Sequence, residues 1–241
     1  MEFPITIEKH HGIYVVRDDL LPGGTKSILL SEINKEYPHT KEFVYASPVY
    51  GGFQIALSMY CKNHNLKATI FCAKRTKQHT NTLKCIENGA NVVEVDYGYL
   101  SVIEKKAREY CMGKPNVEKI IFGASTPKNK SIIAKRVINV IKTLHFVPDE
   151  IWCAVGSGTL LSGILLGTNN ININIVGVQV GAEFKETHKN LRLIKYPKSF
   201  DKESKIKIDF PSMPNYDLKA FELCLKEMKI NNKKILFWNV L

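Results

Sequence analysis

The chain has 241 residues, 44% of them hydrophobic, and 34 Lys and Arg against 23 Asp and Glu, so it can bury a sizeable core without disulfide or metal staples. No stretch reaches the roughly 18 apolar residues of a membrane span, MEFPITIEKHHG has no basic-then-apolar leader pattern, and six scattered cysteines fit neither a zinc site nor a disulfide scaffold; a cytoplasmic chain without a membrane role is expected. The formal charge of +11 would suit nucleic acid, but the basic groups of AKRTKQHTNTLK (73–84) and of 185–207 carry no interleaved aromatic platform, and nucleic-acid binding is not favoured.

The first informative stretch is RDDLLPGGTKSILL (17–30), in which a Pro-Gly-Gly turn sets Lys26 at the start of an apolar, helix-like run. Strand-length apolar runs and helical patterns then alternate. EFVYAS (42–47) predicts a strand, QIALSMYCKNHN (54–65) a helix and LKATIFC (66–72) a strand. TNTLKCIENGA (80–90) predicts a helix ending near Gly89, NVVEVD (91–96) a strand, and VIEKKAREYCMG (102–113) a helix with a glycine stop. EKIIFGAS (118–125) and EIWCAVGSG (150–158) predict buried strands on either side of a helix over 131–144, and NIVGVQVG (174–181) and KKILFWNVL (233–241) predict further strands. Residues 182–215 are polar, basic and aperiodic, which predicts a long surface excursion. Alternating strands and helices build βαβ units, so the fold class is α/β with parallel sheets covered on both faces.

In AVGSGTLLSGILLG (154–167) a buried strand runs through Gly156, Ser157, Gly158 and Thr159 into a helix. Backbone N–H groups, a positive helix end and two hydroxyls meet there, which suits a phosphate. The glycine spacing is not that of a dinucleotide loop, and the Gly-Lys-Ser/Thr ending of a nucleotide loop is missing. The seven histidines show no metal-binding spacing, and Cys72 and Cys153 in apolar strands read as buried structural thiols. A phosphate cradle together with a glycine-flanked lysine suggests pyridoxal phosphate, which needs an anion site, a Schiff-base lysine and a partner for its ring nitrogen.

VVRDDLLPGGTKSILL resembles the Lys-Arg-Asp-Asp…Gly-Gly-Asn-Lys segment of the 1-aminocyclopropane-1-carboxylate deaminase and D-cysteine desulfhydrase family, of fold type II among pyridoxal phosphate enzymes. NTLKCIENGANVVEVD (81–96), FGAS (122–125), GSGTLLSG (156–163) and MPNYDLKAF (213–221) are similar to further family segments in the same order. The resemblance implies a tryptophan synthase beta-like architecture of two three-layer parallel-sheet domains, a small one over 38–117 and a larger cofactor-binding one over 1–37 plus 118–241. It implies that Lys26 is the Schiff-base lysine, that Gly156, Ser157, Gly158 and Thr159 bind the phosphate, that Asp217 meets the pyridine nitrogen, and that Tyr216 is catalytic beside the substrate.

The resemblance also carries departures. The family's Ser-Asn-Gln/His loop is replaced by ASPVYGGFQIA (46–56), so that only Tyr50 and the backbone of Gly51 and Gly52 stand where the substrate carboxylate is held. Thr159 and Leu160 replace the common Gly-Thr, and the chain is shorter than its relatives at both ends and before Tyr216. The implied activity is that of a lyase or deaminase on a small amino acid, working as a cytoplasmic homodimer. The alternatives are chemistry on an amino-acid-bearing nucleotide or nucleic acid, and a non-catalytic remnant of the fold. Lys26 is expected in a buried setting, and no metal is expected.

Overall fold

The computed structural model describes residues 3–96, 98–228, 230 and 233–241. In chain order the elements are β1 (Ile7–His10), β2 (Ile13–Arg17), α1 (Thr25–Glu36), β3 (Glu42–Ala46), α2 (Phe53–Asn63), β4 (Lys67–Ala73), α3 (Thr80–Glu87), β5 (Asn91–Val95) and α4 (Leu100–Cys111). They continue as β6 (Val117–Ile120), α5 (Pro127–Thr143), β7 (Glu150–Val155), α6 (Thr159–Thr168), β8 (Asn174–Gln179), β9 (Leu191–Lys195), α7 (Asp217–Met228) and β10 (Ile235–Asn239). Two compact units result, Pro22–Ala124 and Met1–Leu21 with Ser125–Leu241. The smaller unit takes in α1, which packs on α2, whereas the sequence-based span of 38–117 leaves that helix with the larger domain.

The smaller unit holds a four-stranded parallel sheet in the order β5-β4-β3-β6. Strand β4 is buried from Ala68 to Ala73, as a parallel strand covered on both faces must be. Val44, Phe71 and Val95 meet Ile103 and Ala107 of α4 on one face, while Tyr45 packs on Phe53 of α2 on the other. The strand expected over 118–125 ends at Ile120. Gly123 and Ala124 take positive φ of 63° and 50°, which no strand accommodates, and a short 3-10 turn forms instead over Phe122–Ala124.

The larger unit holds a six-stranded sheet in the order β1-β2-β10-β7-β8-β9, parallel except for β1. Its core packs Trp152, Val176 and Phe237 against Ala220, Phe221 and Cys224 of α7. On the opposite face α6 lies against α5, and a Cβ on Gly163 would fall 2.4 Å from Ile133 Cγ2, so two of the glycines in GSGTLLSGILLG serve helix packing. Helix α5 starts at Pro127, four residues earlier than its periodicity predicts, because Thr126 Oγ1 caps it by accepting from Asn129 N at 3.1 Å. The aperiodic stretch after β8 contains β9, which pairs with β8 along Ile175–Gln179. Neither β1 nor α7 is marked by a continuous apolar run of its own, whereas β2 is the apolar run Ile13–Val16.

Asp18 is fully buried in this unit. Its carboxylate accepts from Arg136 Nη2 at 2.6 Å and from Trp238 Nε1 at 3.0 Å, while the same guanidinium donates to the carbonyls of Phe3 and Pro4. Next to it the β1–β2 hairpin is tied to the long excursion through His10, whose Nδ1 meets Asp209 at 2.8 Å and whose Nε2 meets Glu8 at 2.8 Å. Burial pushes the His10 pKa down, but the bonds to Asp209 and Glu8 outweigh it and the pKa is raised.

Removing one partner of a buried pair strands the other charge. Asp18→Ala is therefore expected to lower the urea unfolding free energy by about 3–5 kcal/mol, more than Glu8→Ala at the partly exposed Glu8–Arg17 pair. The His10 contribution is present below the free-histidine pKa of about 6.5 and is lost as pH rises through the raised folded value. The thermal midpoints of wild type and His10→Gln should accordingly differ more at pH 6 than at pH 8.5.

Candidate active site

The glycine turn after β7 sits in the larger unit. Val155 ends the strand, Gly158 takes φ 86° at the N-cap of α6, and no side chain caps that helix. Only glycine enters this left-handed region without strain, and an added Cβ would also lie 2.6 Å from Phe184 Cδ2. Ser157 is exposed, and its Oγ lies 3.2 Å from Thr159 Oγ1. Two hydroxyls and the first N–H groups of α6 thus face one place, with the positive end of the helix behind them.

Tyr216 closes the other side of this turn. A Cβ on Gly156 would lie 2.4 Å from Tyr216 Cε1 and 3.0 Å from its hydroxyl, so the absence of a side chain at 156 is what lets the ring sit against the backbone. Burial, and then the neighbouring Asp217 charge, push the Tyr216 phenol upward, which keeps it protonated at neutral pH. Asp217 opens α7, is buried, and accepts from Val240 N through Oδ2 at 3.2 Å. The same charge and full burial raise the Cys153 thiol, so this cysteine is inert.

The smaller unit carries the other candidate residues. Lys26 is the second residue of α1, one residue after Gly23 and Gly24, and it is half-buried rather than enclosed. Gly23 lies on α2, where an added Cβ would meet Ala56 Cα at 3.2 Å. Helix α2 begins after Gly51 and Gly52, so the Lys26 turn and the 50–52 loop share one helix as support. Tyr50 takes His79 edge-on at 4.7 Å and Arg75 over its ring at 6.0 Å. Gln54 is fully buried, and its Nε2 donates to the carbonyls of Pro48, Val49 and Gly51 at 3.2, 2.9 and 3.0 Å.

The model of the family described as "Pyridoxal-phosphate dependent enzyme" matches residues 5–228. The chain belongs to this family. Among solved structures, an ACC deaminase homologue superposes with a TM-score of 0.79 at 19% identity, covering 99% of this chain and 89% of that one. An O-acetylserine dependent cystathionine beta-synthase from Helicobacter pylori gives 0.71 at 17%, covering 100% and 92%. A hydrogen sulfide-producing enzyme from Fusobacterium nucleatum gives 0.71 at 15%, covering 98% and 94%. No curated protein matches the chain in sequence. These likenesses establish the type II fold of this pyridoxal-phosphate dependent enzyme.

The residues present fit the cofactor's phosphate, because the Gly156–Thr159 turn leads into the N-terminus of α6, which no side chain caps, and carries two hydroxyls and no carboxylate of its own. Within the larger unit the structure brings Gly156, Ser157, Gly158 and Thr159 together with Tyr216, while in the smaller unit it sets Lys26 and Gly51–Gly52 on packed helices. Sequence reasoning passed over Gln54, whose only signal was a polar residue in the first turn of an apolar helix, and Phe184, which lies inside the aperiodic excursion and left no signal.

Gly158→Ala is expected to destabilise the protein by about 1–2 kcal/mol through left-handed strain and to weaken pyridoxal phosphate binding at least tenfold in an absorbance titration. Ser157→Ala, on the exposed side of the same turn, should weaken binding without the stability loss.

Proposed function

We propose that this pyridoxal-phosphate dependent enzyme is a lyase or deaminase that breaks a bond next to the α-carbon of a small amino acid and releases ammonia or a thiol. The observation that carries the reading is the Gly156–Thr159 glycine turn at the N-terminus of α6 with the phenol of Tyr216 seated against Gly156. The fold neighbours support it, since they include an ACC deaminase homologue and a hydrogen sulfide-producing enzyme. When bound, pyridoxal phosphate supplies the electron sink for such a reaction.

In this reading Lys26 would hold the cofactor, and its amine would move a proton at the substrate's α-carbon. Gly156, Ser157, Gly158 and Thr159 hold the phosphate, and Asp217 serves the ring nitrogen. Tyr216 acts from the acid side, giving its proton to the departing or neighbouring group. The Gly51–Gly52 turn faces the substrate carboxylate through the Gly52 N–H, the Gly51 N–H being taken by the Pro48 carbonyl at 2.8 Å, with Tyr50 as the wall and Gln54 keeping the loop in shape. A cytoplasmic homodimer acting on a small amino acid, not on nucleic acid, completes the proposal.

The test is the absorption spectrum of the purified chain with pyridoxal phosphate, before and after borohydride. An absorbance band that borohydride fixes onto Lys26, and that Lys26→Ala lacks, is expected. Incubation with D-cysteine and with 1-aminocyclopropane-1-carboxylate should then release sulfide or ammonia from at least one. A wild-type spectrum identical to that of free cofactor, or fixation at a lysine other than 26, would overturn the reading.

A further inference from the structure

Lys219 is a lysine in an unusual place. It is the third residue of α7, fully buried, and among the described residues no carboxylate lies within ion-pairing distance of its Nζ. The amine instead donates to two backbone carbonyls of the excursion, Ser199 O at 3.0 Å and Phe200 O at 3.1 Å. The rings of Tyr196 and Phe200 stand 5.0 and 5.7 Å from it. Burial lowers its pKa, with Asp201 and Glu203 opposing and Lys198 adding to the fall.

An apolar side chain of the same length would fill this space without desolvating a charge. Packing therefore does not account for an ammonium here. What the ammonium adds is direction, namely two bonds to the peptide that carries Phe200. The Phe200 carbonyl also accepts from Asn215 Nδ2 at 2.9 Å, so residues 215 and 219, on either side of Tyr216, grip the same oxygen. The Phe200 ring then meets the Tyr216 ring edge-on, with centroids 5.0 Å apart and an interplanar angle of 87°. The Tyr216 ring also lies against Gly156. The tyrosine thus touches both a clamped phenylalanine and the first residue of the phosphate turn.

We infer that Lys219 is a positioning residue, whose bonds to Ser199 and Phe200 hold the Phe200 wall that fixes the Tyr216 ring against Gly156. The consequence for turnover rests on the role proposed above for Tyr216. Local packing supports the grip, since Tyr196 and Ser204 both donate to Glu222 of the same helix at 2.7 and 2.8 Å. The excursion is thereby laid along α7, and within that helix Lys219 is the part of the attachment closest in sequence to the tyrosine.

The experiment compares wild type, Lys219→Met, Lys219→Arg, Phe200→Leu, Tyr216→Phe and the Lys219→Met/Tyr216→Phe double variant. Amide hydrogen exchange over 196–204 is measured on the chain without cofactor, and D-cysteine and 1-aminocyclopropane-1-carboxylate consumption on the chain loaded with pyridoxal phosphate. Lys219→Met should speed exchange in 199–204 at least tenfold and lower kcat about tenfold with KM within twofold. Lys219→Arg, which keeps a donor, should recover most of both, and the double variant should be no slower than Tyr216→Phe alone. If Lys219→Met does not fold, Phe200→Leu carries the test, with the same loss of kcat and the same lack of additivity expected.

Exchange unchanged in Lys219→Met overturns the inference, as does a loss that adds fully to that of Tyr216→Phe. A normal kcat in Lys219→Met or in Phe200→Leu beside a slow Tyr216→Phe overturns it while leaving the role of the tyrosine intact. A Tyr216→Phe variant as fast as wild type removes the proposed role of the tyrosine and the inference with it. Wild type that consumes neither amino acid overturns the small-amino-acid reading and, with it, the catalytic consequence drawn for Lys219.

Discussion

One buried carboxylate organises the larger unit. Asp18 closes the β2 end of the chain and receives bonds from α5 through Arg136 and from β10 through Trp238. Those three segments are separated by more than a hundred residues of sequence on either side of Arg136, so a single side chain sets where the first, middle and last parts of the unit meet. Burial makes the arrangement demanding, because a carboxylate without its donors in that position would carry an uncompensated charge. The RDD motif that opens the Lys26 segment is therefore structural at its first two or three residues: Arg17 pairs with Asp19 and Glu8, and Asp18 with Arg136.

On that frame, the chemistry is placed by strand ends and helix starts. In each unit parallel strands deliver a turn to the N-terminus of a helix, Gly156–Thr159 before α6 and Gly51–Gly52 before α2. Such turns offer N–H groups to anions because the first turn of a helix leaves its donors without intrahelical partners. The side chains that shape these turns do so by pinning carbonyls from inside. Gln54 does this for the 48–51 loop with three bonds, and Lys219 does it for the excursion with two. Both are buried polar groups whose value lies in direction rather than in burial.

Tyr216 and Asp217 show how neighbouring residues divide roles. The phenol is pushed toward its neutral form by burial and by the adjacent carboxylate, while the carboxylate is anchored to the backbone at Val240. A fixed negative charge beside this buried phenol keeps it protonated at neutral pH. In the smaller unit, Tyr50, Arg75 and His79 cluster beside the Gly51–Gly52 turn.

The sequence by itself determined the α/β class, the strands β3, β4, β5, β7, β8 and β10, and the glycine turn before α6, because buried parallel strands are continuous apolar runs and their turns are marked by glycine. Ordered motifs likewise exposed the family through Lys26, the 156–163 segment and the stretch around Tyr216. Only the tertiary structure decided the rest. Strands β1 and β9 have half-exposed faces and mixed residues, so they exist through pairing with a neighbour and not through their own pattern. FGAS turned out to be a 3-10 turn because positive φ at Gly123 and Ala124 ends the strand. Asp18, Gln54 and Lys219 read as ordinary polar residues until long-range contacts buried them, since burial and hydrogen-bond partners are properties of the folded chain and leave no periodic trace along it.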